Sequence, residues 1–503
     1  MDVFASIFFA LLSQPSLLLY VVGGVALGVA VGALPGLTAV TGIALLIPFT
    51  FGRDPTEAIT LLVALYGGAI YGGSISSILI RTPGTPAAAA TALDGFPMSQ
   101  RGEGGRAIGL ATSASCLGGL LGAVVMATFA PLVAKAGLLF GPPEFFALSL
   151  FGLGIIVTIS GKSLLKGVLA ALLGIAITLI GYDPIAGLPR FTFGEPQLLN
   201  GLEFIPILIG LYGVSQVMRG FAETPGRSAP LAHIARFLPP ISDLLKGKWL
   251  ILKSAAMGVF IGSIPGAGAD IAAFTAYGEA KRASKDPEQF GRGTPEGVLA
   301  PEAANNASTG GAMIPMLTLG IPGDAATAVL LGAFTIQGFQ PGPVFFSQNL
   351  DLVYSIFGAF ILSQFAIFLV GISCARFFVR LIRIDRAYFL PVILIFCLLG
   401  AYVTRFDVFD VWVALGFGIF GFLWERGGFP LAPILLALIL GPIFEQNLRT
   451  SLILSQGDPT IFLSRPISLI FILVAVIVFV SALINRRKAS RTAALQHNGG
   501  SPD

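Results

Sequence analysis

The stretch ISLIFILVAVIVFVSALI, Ile467 to Ile484, runs for 18 residues without a charge. A helix needs about 20 apolar residues to cross the hydrocarbon core of a bilayer. Inside lipid, every backbone N–H and C=O must find its partner within the protein, so only helices and closed barrels can span. Apolar stretches of helical length recur from end to end of this chain, and the expected fold class is an all-α polytopic membrane protein. With the same ruler the sequence divides into about ten to twelve hydrophobic passes. Hydrophobic residues make up 55% and charged residues 11% of the chain, and a soluble domain carries about twice that charge. NRRK follows the Ile467–Ile484 span, and a basic flank marks the cytoplasmic side. The net charge of +4 is therefore expected to reflect topology and not nucleic-acid binding.

Asp2 is the only charge before Arg53, so the N-terminus lacks the basic region of a signal peptide. Cys116, Cys374 and Cys397 lie far apart in apolar segments, fit neither a metal site nor a disulfide framework, and are expected to be buried small hydrophobes. The only histidines, His233 and His497, fall in a polar linker and the tail. A membrane-embedded enzyme usually needs His, Cys or paired carboxylates within the membrane, so that class is disfavoured.

The two halves look alike. GVAVGALPG (Gly28 to Gly36) matches GVFIGSIPG (Gly258 to Gly266), and TPGTPAAAATAL (Thr82 to Leu93) matches IPGDAATAVLL (Ile321 to Leu331). The prolines are 48 residues apart in the first half (35 to 83) and 57 in the second (265 to 322); the extra nine fit the charged loop Glu279 to Gly297. The expected organisation is a first membrane repeat at 1–221, a cytoplasmic linker at 222–249, a second repeat at 250–465, a final transmembrane helix at 466–485 and a disordered cytoplasmic tail at 486–503. The linker and the tail are both basic, hence both cytoplasmic, which makes the second half cross an odd number of times. Two homologous halves with odd crossings have inverted topology. RGEGGR (Arg101 to Arg106) disagrees, because it puts two arginines on the side expected to be external.

Pro-Gly pairs interrupt the apolar segments at four places. Basic residues flank Leu250 to Gly278 on both sides, which suits a re-entrant hairpin with its tip at Pro265–Gly266; Leu27 to Phe51 is the matching hairpin, with its tip at Pro35–Gly36. Further breaks are expected at Thr82–Pro83–Gly84–Thr85 and at Pro322–Gly323, with Thr82, Thr85 and Asp324 as caps of the helices that follow. Irregular backbone at membrane depth is tolerated where it lines a cavity. Helix N-termini there attract anions, and C-termini suit cations. Polar residues gather at the breaks: Ser74 and Ser76 before Arg81, and Asn305, Asn306, Ser308 and Thr309 in the other half. Together with the four Pro-Gly pairs, Ser74, Ser76, Arg81, Thr82, Thr85, Asn305 and Asn306 are candidate substrate contacts; Asp270, Asp324, Ser308 and Thr309 are candidate ion-coupling residues. Each has a plainer alternative: Arg81 as a snorkelling headgroup anchor, the serines as helix-packing groups, Asp324 as a simple N-cap.

GALPGLTAVTGIALLIPFTF, YGGSISSILIRTPGTPAAAATALDGFPMSQRGEGGRAIG and PEAANNASTGGAMIPMLTLGIPGDAATAVLLGAF closely resemble the large permease subunit of the tripartite tricarboxylate transporters, the TctA family, over roughly residues 10 to 485. The resemblance implies a solute carrier of the bacterial inner membrane, working with a small four-helix membrane subunit and a periplasmic solute-binding protein. It implies uptake of organic anions driven by a Na⁺ or H⁺ gradient, with no other cofactor. The sequence agrees in having no GxxxxGK[ST] pattern for nucleotide phosphates. An anion-conducting channel is the alternative, since broken helices suit channels too. Hairpins joined to a mobile bundle suit an elevator-like motion, and scaffolds of that kind often dimerise.

Overall fold

In a computed structural model, residues 14–159, 163–222, 241–381 and 386–498 are described. They are mostly helical. The first half holds α1 (Pro15–Ala33), α2 (Ala39–Leu46), α3 (Pro55–Ile80), α4 (Ala88–Met98), α5 (Gly104–Gly137), α6 (Pro142–Ile159), α7 (Leu164–Thr178) and α8 (Phe204–Ala222). Then come α9 (Ile241–Gly262), α10 (Gly268–Ala283), α11 (Glu296–Leu319), α12 (Ala325–Ile336), α13 (Pro343–Gln348) and α14 (Leu350–Ser373). The chain continues through α15 (Ala375–Leu381), α16 (Arg386–Arg405), α17 (Val408–Arg426), α18 (Ala432–Leu454), α19 (Ile461–Ser464) and α20 (Pro466–Asn498). A two-residue hairpin, β1 (Gly181–Tyr182) with β2 (Pro189–Arg190), lies between α7 and α8.

Two compact units form, and each draws on distant parts of the sequence. One contains residues up to Leu138 together with Glu203–Leu423; the other contains Leu139–Leu202 together with the chain from Trp424 onward. In the second unit, Arg190 and Arg449 share the carboxylates of Asp183 and Glu445, and Arg465 pairs with Glu144.

Seven helices among the described residues are long and apolar enough to cross a membrane, fewer than the ten to twelve passes expected from the sequence. Polar residues explain part of the difference. Helix α11 is 24 residues long but carries Glu302, Asn305, Asn306, Ser308 and Thr309, while α2 and α12 are short pieces left by the Pro-Gly breaks. Three other expectations change. Cys374 is exposed, whereas Cys116 and Cys397 are buried as expected. Helix α20 continues to Asn498 where a disordered tail was expected, because Arg, Lys, Ala, Gln and Leu in that stretch all favour helix. Helix α9 already begins at Ile241, inside the expected linker; residues 223–240 of that linker, the N-terminal residues 1–13 and residues 499–503 lie outside the described residues.

Within the first unit, α1 packs along α3 and α9 along α11 through glycines. Cβ atoms at Gly28 and Gly32 would strike the carbonyls of Leu65 and Ala69, 37 residues on in each case (28 to 65, 32 to 69). Cβ atoms at Gly258 and Gly262 would strike the carbonyls of Ala304 and Ser308, 46 residues on (258 to 304, 262 to 308). Small residues at four-residue spacing let helix backbones approach closely in lipid. Ser74 on α3 reaches Glu302 on α11, while Tyr66 on α3 reaches Asp324 just beyond the end of α11. The two helices therefore run antiparallel.

RGEGGR does not face away from the second half's basic loops. Arg101 donates to the carbonyls of Arg292 and Gly293, and Arg106 pairs with Asp243 in the first turn of α9. These segments share one face of the first unit.

Candidate functional site

All four helix breaks occur where the Pro-Gly pairs stand. Between α1 and α2 the chain turns through Pro35–Gly36, with Gly36 at φ 96°, and between α9 and α10 it turns through Pro265–Gly266, with Gly266 at φ 81°. At the end of α3, Arg81 adopts a left-handed conformation (φ 55°), and at the end of α11 Gly320 does the same (φ 72°). Each chain then folds back along the helix it has just left. Gly84 donates to the Gly73 carbonyl at 3.4 Å, and a Cβ on Gly84 would collide with Gly32 and Gly73. A Cβ on Gly323 would collide with Gly262 and Ala312. The backbone N–H of Gly266 donates to the Gly323 carbonyl at 2.7 Å. In the second half the two break loops are therefore bonded to each other, in the first the loop at Gly84 packs on the last turn of α1, and only glycine fits at Gly84 and Gly323.

The helices that follow the breaks begin differently. Asp324 caps α12 with a capping box: its Oδ1 accepts from the Thr327 backbone N–H at 2.8 Å, and the Thr327 hydroxyl bonds back to Asp324. Its Oδ2 accepts from the Tyr66 hydroxyl at 2.6 Å. This N-terminus thus already holds a carboxylate, its own. Neither Thr82 nor Thr85 caps α4. Ala87 occupies the cap position without a side-chain bond, because the turn Thr85–Pro86 offers its backbone carbonyls to Ala88 and Ala89 instead. The Thr82 hydroxyl donates to the Ile80 carbonyl, and the buried Thr85 hydroxyl has no hydrogen-bond partner.

Three of the sequence candidates meet in one cavity. Pro35, Gly36 and Thr82 line a space of about 200 Å³ together with Leu37, Gln216, Arg219, Gly220, Phe389 and Leu390. Gln216 and Arg219 come from the last part of α8, which the sequence reading had passed over. Arg81 is placed elsewhere: it is exposed, with its guanidinium 5.8 Å from the Phe96 ring centre.

The polar residues of α3 and α11 form a buried seam. Asn305 and Asn306 are fully buried, and none of their four side-chain polar atoms has a partner; the Ser77 hydroxyl on α3 is also buried and unpaired. Ser76, Ser308 and Thr309 spend their hydroxyls on carbonyls of their own helices, at Gly73, Asn305 and Asn306. Asp270 is exposed in the first turn of α10. Ser74 donates to Glu302 Oε1 at 2.5 Å, Thr91 bonds the same oxygen, and Ser115 donates to Oε2 at 2.8 Å. Glu302 was not among the sequence candidates, although it is the only charge between Glu296 and Asp324.

A fourth carboxylate is structural. Asp94 on α4 accepts from the Tyr277 hydroxyl and from the backbone N–H groups of Gly291, Gly293 and Thr294, which ties α4 to the loop before α11. No group of three or more metal-ligating side chains occurs among the described residues.

The arrangement offers hydrogen-bond donors and one guanidinium around a small cavity, next to packed, glycine-pinned helix breaks. The chain is similar to an uncharacterized 52.8 kDa protein of the TAR-I ttuC' 3' region of Agrobacterium vitis, 34% identical over 468 residues, covering 93% of each chain. An uncharacterized protein of the TAR-II ttuC' 3' region of the same organism is 34% identical over 234 residues, which is 46% of this chain and 97% of that one. No solved structure matches. The model of the tripartite tricarboxylate transporter TctA family matches residues 18–436. The chain therefore belongs to the TctA family, a family of multi-pass membrane transport proteins and not of enzymes.

Proposed function

We propose that this chain is the large membrane subunit of a binding-protein-dependent secondary carrier that imports organic carboxylate anions, driven by a Na⁺ or H⁺ gradient. Its partners are a small four-helix membrane subunit and a periplasmic solute-binding protein, in a bacterial inner membrane with the C-terminus cytoplasmic. The observation that carries the anion reading is the cavity at the first-half breaks, where Arg219, Gln216, Thr82 and the Pro35–Gly36 turn come together. A guanidinium beside hydrogen-bond donors is the arrangement that recognises a carboxylate. Asn305, Asn306, Ser77 and Thr85 add buried polar groups still in need of partners. Such groups are costly to leave unpaired and mark functional sites.

The two halves are inverted repeats in this reading. Support comes from the matched glycine contacts, offset by 37 residues in one half and 46 in the other, a difference of the same nine residues that separates the Pro-Gly spacings. The antiparallel course of α3 and α11 supports it too. Screening carboxylic acids against the cognate binding protein identifies the acid to use. Permease reconstituted with both partners should then accumulate that acid above equilibrium when a Na⁺ or H⁺ gradient is imposed, and Arg219→Ala should reduce the rate at least about tenfold, the worth of one charge-assisted hydrogen bond. Gradient-independent, non-saturating flux in the wild type would establish the channel instead.

A further inference from the structure

Glu302 stands apart from the cavity. It is fully buried, and its carboxylate is enclosed by hydroxyls from three other helices: Ser74 of α3, Thr91 of α4 and Ser115 of α5. No ion pair compensates it among the described residues. A buried carboxylate without a counter-cation is far costlier than a buried neutral acid or a cation-bound one. The enclosing groups are all oxygen, one carboxylate and three hydroxyls, a donor set that suits a proton or a small hard cation. One turn along the same face of α11, at i+3 and i+4, stand Asn305 and Asn306, fully buried with their amides unpaired. Polar binding capacity therefore extends beyond the carboxylate itself.

We infer that Glu302, with Ser74, Thr91 and Ser115, is the binding site of one monovalent cation, a proton or a sodium ion. The transport role of this site rests on the carrier reading above. An anion that reaches the Asn305–Asn306 turn meets repulsion from a charged Glu302, and bound cation removes it. Anion and cation then travel together.

Other titratable groups on the surrounding helices have occupations of their own. The Tyr71 hydroxyl of α3 is bonded to Thr112, Asp94 of α4 is held by Tyr277 and backbone N–H groups, and Cys116 of α5 is buried. At the start of α11, Glu296 is bonded to Thr294.

Infrared difference spectroscopy of the purified full-length permease tests the assignment without a transported ligand. One step exchanges choline chloride for sodium chloride at fixed pH; the other lowers the pH in sodium-free buffer. A sodium site shows a Na⁺-induced shift of a carboxylate stretch, and a proton site shows the carbonyl stretch of a neutral carboxylic acid appearing on acidification. Either signal should vanish in Glu302→Gln and persist in Asp270→Asn and Asp324→Asn. Ser115→Ala, which keeps the carboxylate and removes one donor, should move the frequency of the same band and serves if Glu302→Gln does not fold. Signals unchanged in both variants, or no carboxyl response to either cation, overturn the assignment. A permease that shows the Glu302 signal yet does not accumulate the acid in liposomes overturns the carrier reading and leaves the cation site standing.

Discussion

Arg81 illustrates how one residue's surroundings can reverse what its position in the sequence suggests. It is the only charge between Ala58 and Leu93, which points to a buried countercharge. The structure puts it at the end of α3, exposed over the Phe96 ring, in a left-handed conformation that Gly320 adopts at the end of α11. A side chain in that conformation costs about 1 kcal/mol or more, which glycine avoids. Arg81→Gly should therefore keep or raise the melting temperature of the purified permease, by up to about 1 kcal/mol of stability. If the charge serves transport, the same variant loses uptake while remaining fully inserted; if the side chain only anchors α3 at the membrane surface, uptake stays near wild type. Glu302 is the reverse case. Its isolation among uncharged residues was equally visible, but its three hydroxyl partners come from positions 74, 91 and 115, so no local reading of the sequence assembles them.

At the scale of elements, glycine decides the packing. The chain holds 63 glycines. In the structure, close packing accounts for the glycines of α1 and α9 that face α3 and α11. A Cβ at Gly28 meets the backbone of Leu65 and Ala69, whereas one at Gly23 on the same helix has nothing within 4 Å. Gly28→Ala should destabilise by about 1–3 kcal/mol through overpacking. Gly23→Ala should be neutral or stabilising by up to about 1 kcal/mol, since alanine favours helix. Thermal unfolding of the two variants side by side checks both.

The β1–β2 hairpin gives a pH-dependent prediction at the same scale. Asp183 accepts the backbone N–H groups of Ile185 and Ala186 and the guanidinium of Arg449, which hold its carboxyl well below the usual carboxylate range. A depressed folded value means that the stabilisation is fully present above the unfolded value, about 4. It is lost as the pH falls through the folded value. Amide protection factors across residues 181–190, taken relative to intrinsic exchange at each pH, should be largest at neutral pH and fall progressively below about pH 4, and Asp183→Asn should remove that dependence.

For the whole molecule, the tertiary contacts bear on topology. Arg101 and Arg106 bond to Arg292, Gly293 and Asp243, so their loops lie on one face. Cysteines introduced as Glu103→Cys and Asp286→Cys, in a background with Cys116, Cys374 and Cys397 replaced, should react with a membrane-impermeant maleimide from the same side. Labelling from opposite sides would contradict the fold. Positive-inside counting treats each loop by itself, whereas the fold-back of α3 at Gly84 is what brings RGEGGR to the start of α9 and the loop before α11.

The sequence by itself determined that the chain lives in a membrane as helices, where those helices break, and which family it belongs to. Span length, the proline's missing N–H and the glycine's freedom at positive φ act locally, so Pro35–Gly36, Pro83–Gly84, Pro265–Gly266 and Pro322–Gly323 could be placed residue by residue. Only the tertiary structure decided which polar groups meet. It brought Tyr66 to Asp324 across 258 residues and Ser74 to Glu302 across 228, and it set Arg219 beside the Pro35–Gly36 turn. Those pairings depend on how glycine-lined helices seat against one another, a property of surfaces in contact that no single segment carries.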